Sequence, residues 1–412
     1  MSRDGPHFLP EGWKARAVMD CILPKGVENK GSIQQREYQP SGRFPVVDQG
    51  AALIAGYTDE QTVVYQQDLP LILFGDHTRV FKFLDFPFAT GADGTKLLKP
   101  NRQFVDAKFL YYALLKLEIP SRGYNRHFKY LKEREVPCPS DKAEQLAIAA
   151  VLAKIQAALE VQQKIVATLK ELKAATMAKL FREGRRGERL KQTEIGEMPE
   201  SWEVVDLGNV VSLFGGYAFK SQESVPQSNT QLVRMGNLYQ NKLDLCRSPI
   251  FYPDDFAQKH SRFVLKPGDL IMSLTGTSGK EDYGFAVELK PVHRALLLNQ
   301  RIVRIDIATE KLTKDFLLYF LLSRKFLDHL YPTAKGMKQA NLSTHIMKRL
   351  KIVIPGQDEQ RKVTNCLRAI DRKIDVHEKS AESLRDLFQS MLHLLMTGEV
   401  RVNSLNLEDV SQ

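Results

Sequence analysis

Tryptophan is nearly missing from this 412-residue chain, which has only Trp13 and Trp202. Cysteine is scarce too. Cys21, Cys138, Cys246 and Cys366 form no Cys-x-x-Cys, and no histidine cluster lies near them. That spacing argues against a zinc site or a disulfide framework and fits a reducing compartment. Cys366, at an apolar helix position, is expected as a small buried hydrophobe. Long hydrophobic runs are lacking: the most apolar stretch, FLLYFLL at 316–322, is far too short to cross a bilayer. The opening MSRDGPHFLPEGW has no apolar core, so no signal peptide is expected. The expectation is a cytoplasmic protein without membrane attachment.

Catalytic signatures are lacking as well. GTSGK at 276–280 fails as a phosphate loop, because Leu274 stands where the first glycine is needed and Glu281 replaces Ser/Thr. There is no G-x-G-x-x-G after a strand, no G-x-S-x-G elbow and no H-E-x-x-H. No Asn/Asp-Pro-Pro-aromatic stretch is present, and no acidic spacing marks a metal nuclease. The chain reads as a binding and scaffolding protein, not an enzyme.

What is there is basic and repeated. The formal net charge is +10, which favours a polyanionic partner such as nucleic acid. LPEGWKARAV at 9–18 returns as MPESWEVVDL at 198–207, each with one of the two tryptophans. LPLILFGDHT at 69–78 parallels DLIMSLTGT at 269–277. PSDKAEQLAIAAVL, from 139, parallels PGQDEQRKVTNCL, from 355. The offset between copies grows along the chain, so the second globular region carries insertions. Repetition on this scale means a tandem duplication. Short β-branched and aromatic runs broken by Gly, Pro, Asn and Asp predict mixed α/β globular regions. One helix is expected late in each, over 106–118 and 313–330, capped by Asp106 and Thr313.

Neither 143–181 nor 358–397 contains proline or glycine. Each predicts a helix about 60 Å long at ~1.5 Å per residue, which suits a coiled coil. Alternating steps of four and three give an apolar seam in both: Ile148, Leu152, Ile155, Leu159, Val166, Leu169 and Leu180 in the first, Val363 to Leu395 in the second. The polar seam positions Gln162 and His377 are equivalent and central. If the helices pack antiparallel they face each other and fix register; solvent-facing interruptions are the alternative. Gly184 and Gly398 are expected to stop the two helices. The basic segment after the first is read as a solvated linker, with DNA contact as the alternative.

The segments FPVVDQGAALIAGYTDE (44–60), ILFGDHTRVFKF (72–83) and GMKQANLSTHIMKRLKIVIPGQDEQRKV (336–363), with the doubled PEGW/PESW and Pro…Glu-Gln phrases, resemble the specificity subunit of a type I restriction–modification enzyme. The likeness covers essentially the whole chain. It implies an α+β fold of two similar mixed α/β target-recognition domains, joined by two long antiparallel helices as a coiled-coil spacer with pseudo-two-fold symmetry. The expected boundaries are 1–140 and 198–356 for recognition, 141–184 and 357–400 for the spacer helices, 185–197 for a linker and 401–412 for a tail. It further implies a non-catalytic subunit that binds double-stranded DNA at a split target and carries two methyltransferase subunits, with translocase–nuclease subunits joining for restriction. S-adenosylmethionine, ATP and magnesium then belong to those partners. A DNA-binding regulator or scaffold without enzyme partners is the alternative. SRGYNRHF at 121–128 stands where the first domain lacks a match to GMKQANLS.

Two recognition regions at opposite ends of a spacer would read half-sites about one helical turn (~34 Å) apart. Strand-end loops are the expected contacts: His77, Thr78, Arg79, Lys82, Lys96, Arg122, Tyr124, Asn125 and Arg126 in the first region, and Thr275, Thr277, Ser278, Lys280, Lys335, Lys338, Gln339 and Asn341 in the second. Arg, Asn and Gln can pair bidentately with base edges, while Lys more often neutralises phosphate. No catalytic or metal-binding residue is assigned.

Overall fold

Asp106 opens the first helix where the sequence places its cap: its Oδ1 accepts the N–H of Lys108 and of Phe109, both at 2.9 Å. The computed structural model describes residues 9–402 except 25, 92–93, 121–122, 124–125, 278 and 335–338. Its helices are α1 (Ala107–Lys116), α2 (Phe128–Lys132), α3 (Lys142–Glu183), α4 (Phe256–Lys259), α5 (Lys314–Leu321), α6 (Arg324–Leu330), α7 (Thr344–Arg349) and α8 (Gln357–Thr397). The class is α+β, as expected, with α3 and α8 as the two long helices. The chain divides into two compact units, Met1–Lys164 with Glu378–Gln412, and Ile165–His377. Each unit thus takes one globular region and opposite ends of the two long helices.

The first unit contains β1 (Trp13–Ala17), β2 (Phe44–Val47), β3 (Gly56–Thr58), β4 (Val64–Tyr65), β5 (Leu71–Gly75), β6 (Phe81–Leu84), β7 (Phe88–Thr90), β8 (Thr95–Leu98) and β9 (Glu135–Pro139). They form sheets ordered β3-β2-β7-β4 and β6-β5-β8, and the pair β1-β9. All of β5, LILFG, is buried, which explains its unbroken apolar run. Behind it α1 packs Phe109, Leu110 and Leu114 into one core with Ile148 and Leu152 of α3 and Leu395 and Met396 of α8.

The second unit contains β10 (Leu190–Thr193), β11 (Gly196–Pro199), β12 (Glu203–Asp206), β13 (Val211–Gly215), β14 (Thr230–Val233), β15 (Phe251–Tyr252), β16 (Val264–Leu265), β17 (Leu270–Ser273), β18 (Thr275–Thr277), β19 (Ala286–Glu288), β20 (Ala295–Leu298), β21 (Ile302–Ile307), β22 (Gln339–Asn341) and β23 (Lys351–Ile354). Its sheets run β13-β21-β17-β19 and β15-β14-β20-β16, with the pairs β10-β11, β12-β23 and β18-β22. The duplication is visible in the ladders. The entry strand pairs antiparallel with the last strand in both units (β1 with β9, β12 with β23), and β2 with β7 and β14 with β20 are both parallel. The helix expected over 313–330 is two helices. Ser323 (φ −78°, ψ 146°) leaves helical geometry and caps α6, its Oγ accepting Phe326 N–H at 3.3 Å.

The doubled phrases have a structural basis. Gln145 and Gln360 are fully buried. Gln145 Oε1 accepts the N–H of Asp106 at 2.7 Å, and its Nε2 donates to the carbonyls of Pro139 (2.9 Å) and Phe104 (3.3 Å). Gln360 Oε1 accepts the N–H of Thr313 at 2.8 Å, and its Nε2 donates to Pro355 (2.8 Å) and Lys311 (2.7 Å). Each glutamine therefore ties three otherwise orphaned backbone groups together: the cap of the domain helix, the end of the last strand and the loop before the cap. Glu144 and Glu359 also act alike, each gripping the chain just past the end of the other long helix. Glu144 takes both arms of Arg401 at 2.6 and 2.8 Å; Glu359 accepts Arg185 N–H at 2.7 Å and Arg186 Nε at 2.9 Å. At those ends Gly184 and Gly398 have φ of +61° and +72°, the left-handed stop that favours glycine. A Cβ on Gly184 would press on Pro199 and Trp202, and one on Gly398 on Pro10, so the PEGW and PESW entries are the pads against which the helix ends close.

Every seam position of α3 and α8, Gln162 and His377 included, is buried or half-buried. Within the second unit the helices run antiparallel: Lys173 pairs with Asp371 at 2.6 Å, and Arg186, further along, with Glu359. Tyr319 OH donates to Asp371 at 2.6 Å, as Tyr112 OH does to Gln156 at 3.0 Å in the first unit. Gln162 belongs to the first unit and His377 to the second. Cys366 is half-buried against the second unit's core. The expected tail differs from the structure at its start: Arg401 is ion-paired and Val402 is 3% exposed within the first unit's core, because the turn at Gly398 brings them back onto α3. Residues 403–412 lie outside the described residues.

Candidate nucleic-acid interface

In the first unit four segments converge at the C-terminal end of β5. Asp76 is buried. Its N–H donates to the Gly94 carbonyl at 2.7 Å, its carbonyl accepts His127 N–H at 2.9 Å, and its Oδ1 accepts Phe128 N–H at 2.7 Å. His77 N–H donates to Gln49 Oε1 at 3.1 Å, and Thr78 Oγ1 to the Gln49 carbonyl at 2.7 Å. These bonds bring the loops around residues 49, 77, 94 and 127 together, so His77, Thr78, Arg79 and Arg126 share one rim. Thr78, Arg126 and Lys96, on neighbouring β8, are exposed. Arg79 has φ +64°, unusual for a non-glycine residue, and its guanidinium donates to the Ile119 carbonyl at 2.9 Å. It lines a cleft with Thr78, Glu118, Pro120 and Arg134.

Lys82 departs from expectation. It is 4% exposed, and its ammonium donates to the carbonyls of Asp48 (2.7 Å) and Ala52 and lies 3.8 Å from the Asp48 carboxylate. Burial lowers its pKa against the opposing pull of Asp48. With its charge enclosed by these acceptors it holds the 48–52 loop, in place of the exposed phosphate contact expected of it.

In the second unit the structure joins two motifs that lie far apart in sequence. β18 pairs with β22, setting Thr275 opposite Asn341 and Thr277 opposite Gln339. Thr277, Lys280 and Asn341 are exposed. Thr277 N–H donates to Asp282 Oδ1 at 2.7 Å, while Lys280 N–H closes the turn onto the Thr277 carbonyl at 3.0 Å. Thr275 is buried, its hydroxyl on Met235 Sδ at 2.9 Å, so it supports the rim from beneath and is not a surface contact. Leu342 N–H donates to the Leu274 carbonyl at 2.8 Å, the same link that His127 makes to Asp76. His127 of the first segment and Leu342 of the second are each bonded in this way to the chain just past a buried strand. Arg122, Tyr124, Asn125, Ser278, Lys335 and Lys338 lie outside the described residues.

Sequence reasoning missed the pieces beneath and beside these rims. Asp76, Gln49 and buried His127 build the first, and Asn237 and Tyr239 stand beside the second. Only Tyr239 left a signal, an aromatic within the Gly/Asn-rich RMGNLYQN.

The frame is therefore that of a tandemly duplicated α+β protein with two long helices. Comparisons with known proteins agree. Residues 199–385 match the family model of the type I restriction modification DNA specificity domain. The chain is 28% identical over 414 residues to the type I restriction enzyme MjaVIII specificity subunit of Methanocaldococcus jannaschii, covering 97% of this chain and 95% of that one. It is 24% identical over 390 residues to the EcoR124I/EcoR124II specificity subunit of Escherichia coli, covering 87% and 89%. The S subunit of a type I restriction–modification system from M. genitalium shares the fold, with a TM-score of 0.61 at 16% identity over 96% of this chain and 98% of that one. Residues 199–385 thus carry a type I specificity domain, and over nearly its whole length the chain is similar to specificity subunits of type I restriction–modification systems.

Proposed function

We propose that this chain is the DNA sequence-recognition subunit of a type I restriction–modification complex. It reads a split target, one half-site by each globular region, and serves as the scaffold for two methyltransferase subunits and for translocase–nuclease subunits. The observation that carries this is the repetition of the glutamine clamp, the helix-end grip and the entry-strand pairing in both units, around two rims whose side chains differ. Equal frames with unequal rims suit two unrelated half-sites. The exposed rim residues Thr78, Lys96, Arg126, Thr277, Lys280 and Asn341 are the candidates for DNA contact. Arg and Asn can make bidentate base contacts worth about 1–3 kcal/mol each. In this reading the chain itself is non-catalytic, and S-adenosylmethionine, ATP and magnesium act on its partners.

The test is genome methylation mapping in cells expressing the chain with its methyltransferase partners. The expected result is a split motif with an unread gap. Arg79→Ala and Arg126→Ala should each relax one half of it and leave the other intact. Equal loss in both halves would reject modular reading, and methylation by the purified chain alone would reject its non-catalytic role.

A further inference from the structure

The loop that leaves the central parallel strand is fastened to the rim in both units. In the first, the segment between β2 and β3 hangs on the buried Lys82 ammonium through the Asp48 and Ala52 carbonyls, and on Thr78 through the Gln49 carbonyl. Between those anchors and β3 it turns Leu53 and Ile54 outward, 47% and 37% exposed. In the second, the segment between β14 and β15 is stapled by Asn237, 1% exposed. Asn237 Oδ1 accepts Arg234 N–H at 2.9 Å, and its Nδ2 donates to the Asp244 (2.8 Å) and Arg247 (3.0 Å) carbonyls. Thr275 joins this segment to the rim through Met235.

Gln240 and Asn241 follow at φ 55° and 59°, left-handed backbone in two consecutive non-glycine residues. Such strain persists only where the surroundings over-determine it. Here Asn241 Oδ1 is held by Ala286 N–H at 3.0 Å. The result is Tyr239, 46% exposed, with the Arg247 guanidinium 4.6 Å from its ring centroid and the Phe285 ring edge-on at 5.7 Å.

A single exposed apolar side chain needs no explanation. The same loop, anchored from beneath by a buried polar side chain and tipped with apolar surface in both halves, does. We propose that these loops are a second DNA-reading element in each recognition domain. Leu53 and Ile54 at one half-site, and Tyr239 backed by Arg247 at the other, make apolar contact with base edges in the groove, thymine methyls foremost. The inference rests on the DNA-recognition reading above. Duplex DNA is the occupant because the loops are bonded to the rims that carry Thr78, Arg126, Thr277 and Lys280, in a chain of net charge +10. Apolar side chains there address bases, since phosphates offer them nothing.

The test compares the full-length chain with three variants: Leu53→Ala/Ile54→Ala, Tyr239→Ala and, as reference, Arg126→Ala. Each is used to select duplexes from a random pool, and the salt dependence of binding is measured on the wild-type winner. The loop variants should each lose preference at one or two positions of a single half-site, on opposite sides of the gap. Affinity should fall about 10-fold with an unchanged salt slope, because no phosphate contact is removed. Arg126→Ala should flatten the slope by about one if it touches phosphate. Loop variants that select the wild-type motif with undiminished affinity, while Arg126→Ala weakens one half-site, overturn the loop proposal alone. A loop variant that flattens the slope, or weakens both half-sites alike, overturns it too. If the wild-type chain enriches no motif, the DNA-recognition reading fails and this proposal with it.

Discussion

Gln360 donates from Nε2 to the carbonyl of Pro355 at 2.8 Å, and it does so with no exposed surface. Its twin Gln145 repeats the bond to Pro139. A side chain that satisfies three buried backbone groups is hard to replace, since each orphaned group costs about 1–3 kcal/mol. Gln145→Leu should lower stability by roughly 2–5 kcal/mol, and Gln360→Leu likewise. Denaturant unfolding followed by hydrogen exchange checks this: protection should fall in 9–164 and 378–402 for the first variant and in 165–377 for the second. Loss of protection in the opposite unit would contradict the clamp's local role.

Lys325 gives a pH signature. Its ammonium is desolvated against the carbonyls of Phe181 and Glu197, and its pKa falls from 10.5 to about 8. A lysine whose folded pKa lies below its unfolded value binds fewer protons folded than unfolded between the two. Its contribution to stability therefore rises as pH climbs from about 8 toward 10.5. Lys325→Met should remove that rise. Relative to their values above pH 10.5, the denaturation midpoints of the two proteins should draw apart as pH falls from 10.5 to about 8 and keep a constant difference below it.

The residues past Gly398 are part of the first unit. Ending the chain at residue 399 removes the two-armed Arg401–Glu144 pair and the buried Val402. The expected loss is roughly 2–4 kcal/mol. Arg401→Ala should account for about half of it, and thermal unfolding of the truncated and substituted chains measures both.

Thiol reactivity should separate the cysteines. Cys246 is exposed, whereas Cys21 and Cys138 are buried, and burial pushes the Cys21 thiol up to about 12. A thiol-reactive dye at neutral pH should label Cys246 in the native protein and reach Cys21 and Cys138 only on unfolding. Native labelling of Cys21 would show that the first unit opens locally.

Much of this was legible in the primary structure because it is written locally. The seam of α3 and α8 follows from spacing alone, and the caps Asp106 and Thr313 and the stops Gly184 and Gly398 stand where backbone chemistry needs them. Duplication was legible because both copies kept the residues that touch backbone. What escaped depends on distant partners. Apolar periodicity continues through Ser323, so the break between α5 and α6 left no trace until its hydroxyl was seen on Phe326. Lysine is ordinarily a surface residue, and nothing near Lys82 in sequence announces that its acceptors lie some thirty residues upstream. The glutamines were legible as helix openers, but their three partners include groups 39 and 47 residues away.

Lys82 grips carbonyl oxygens, and carbonyl oxygens are the one feature every residue shares. The tip of the loop it holds, Leu53 and Ile54, can therefore exchange its side chains without slipping that mooring. Asn237 secures the second loop through the main chain in the same way. A lineage pressed to change which sequence it protects would find the tips free to drift and the foundations indifferent to the drift. New specificities could then accumulate at these tips while the fold underneath stays still.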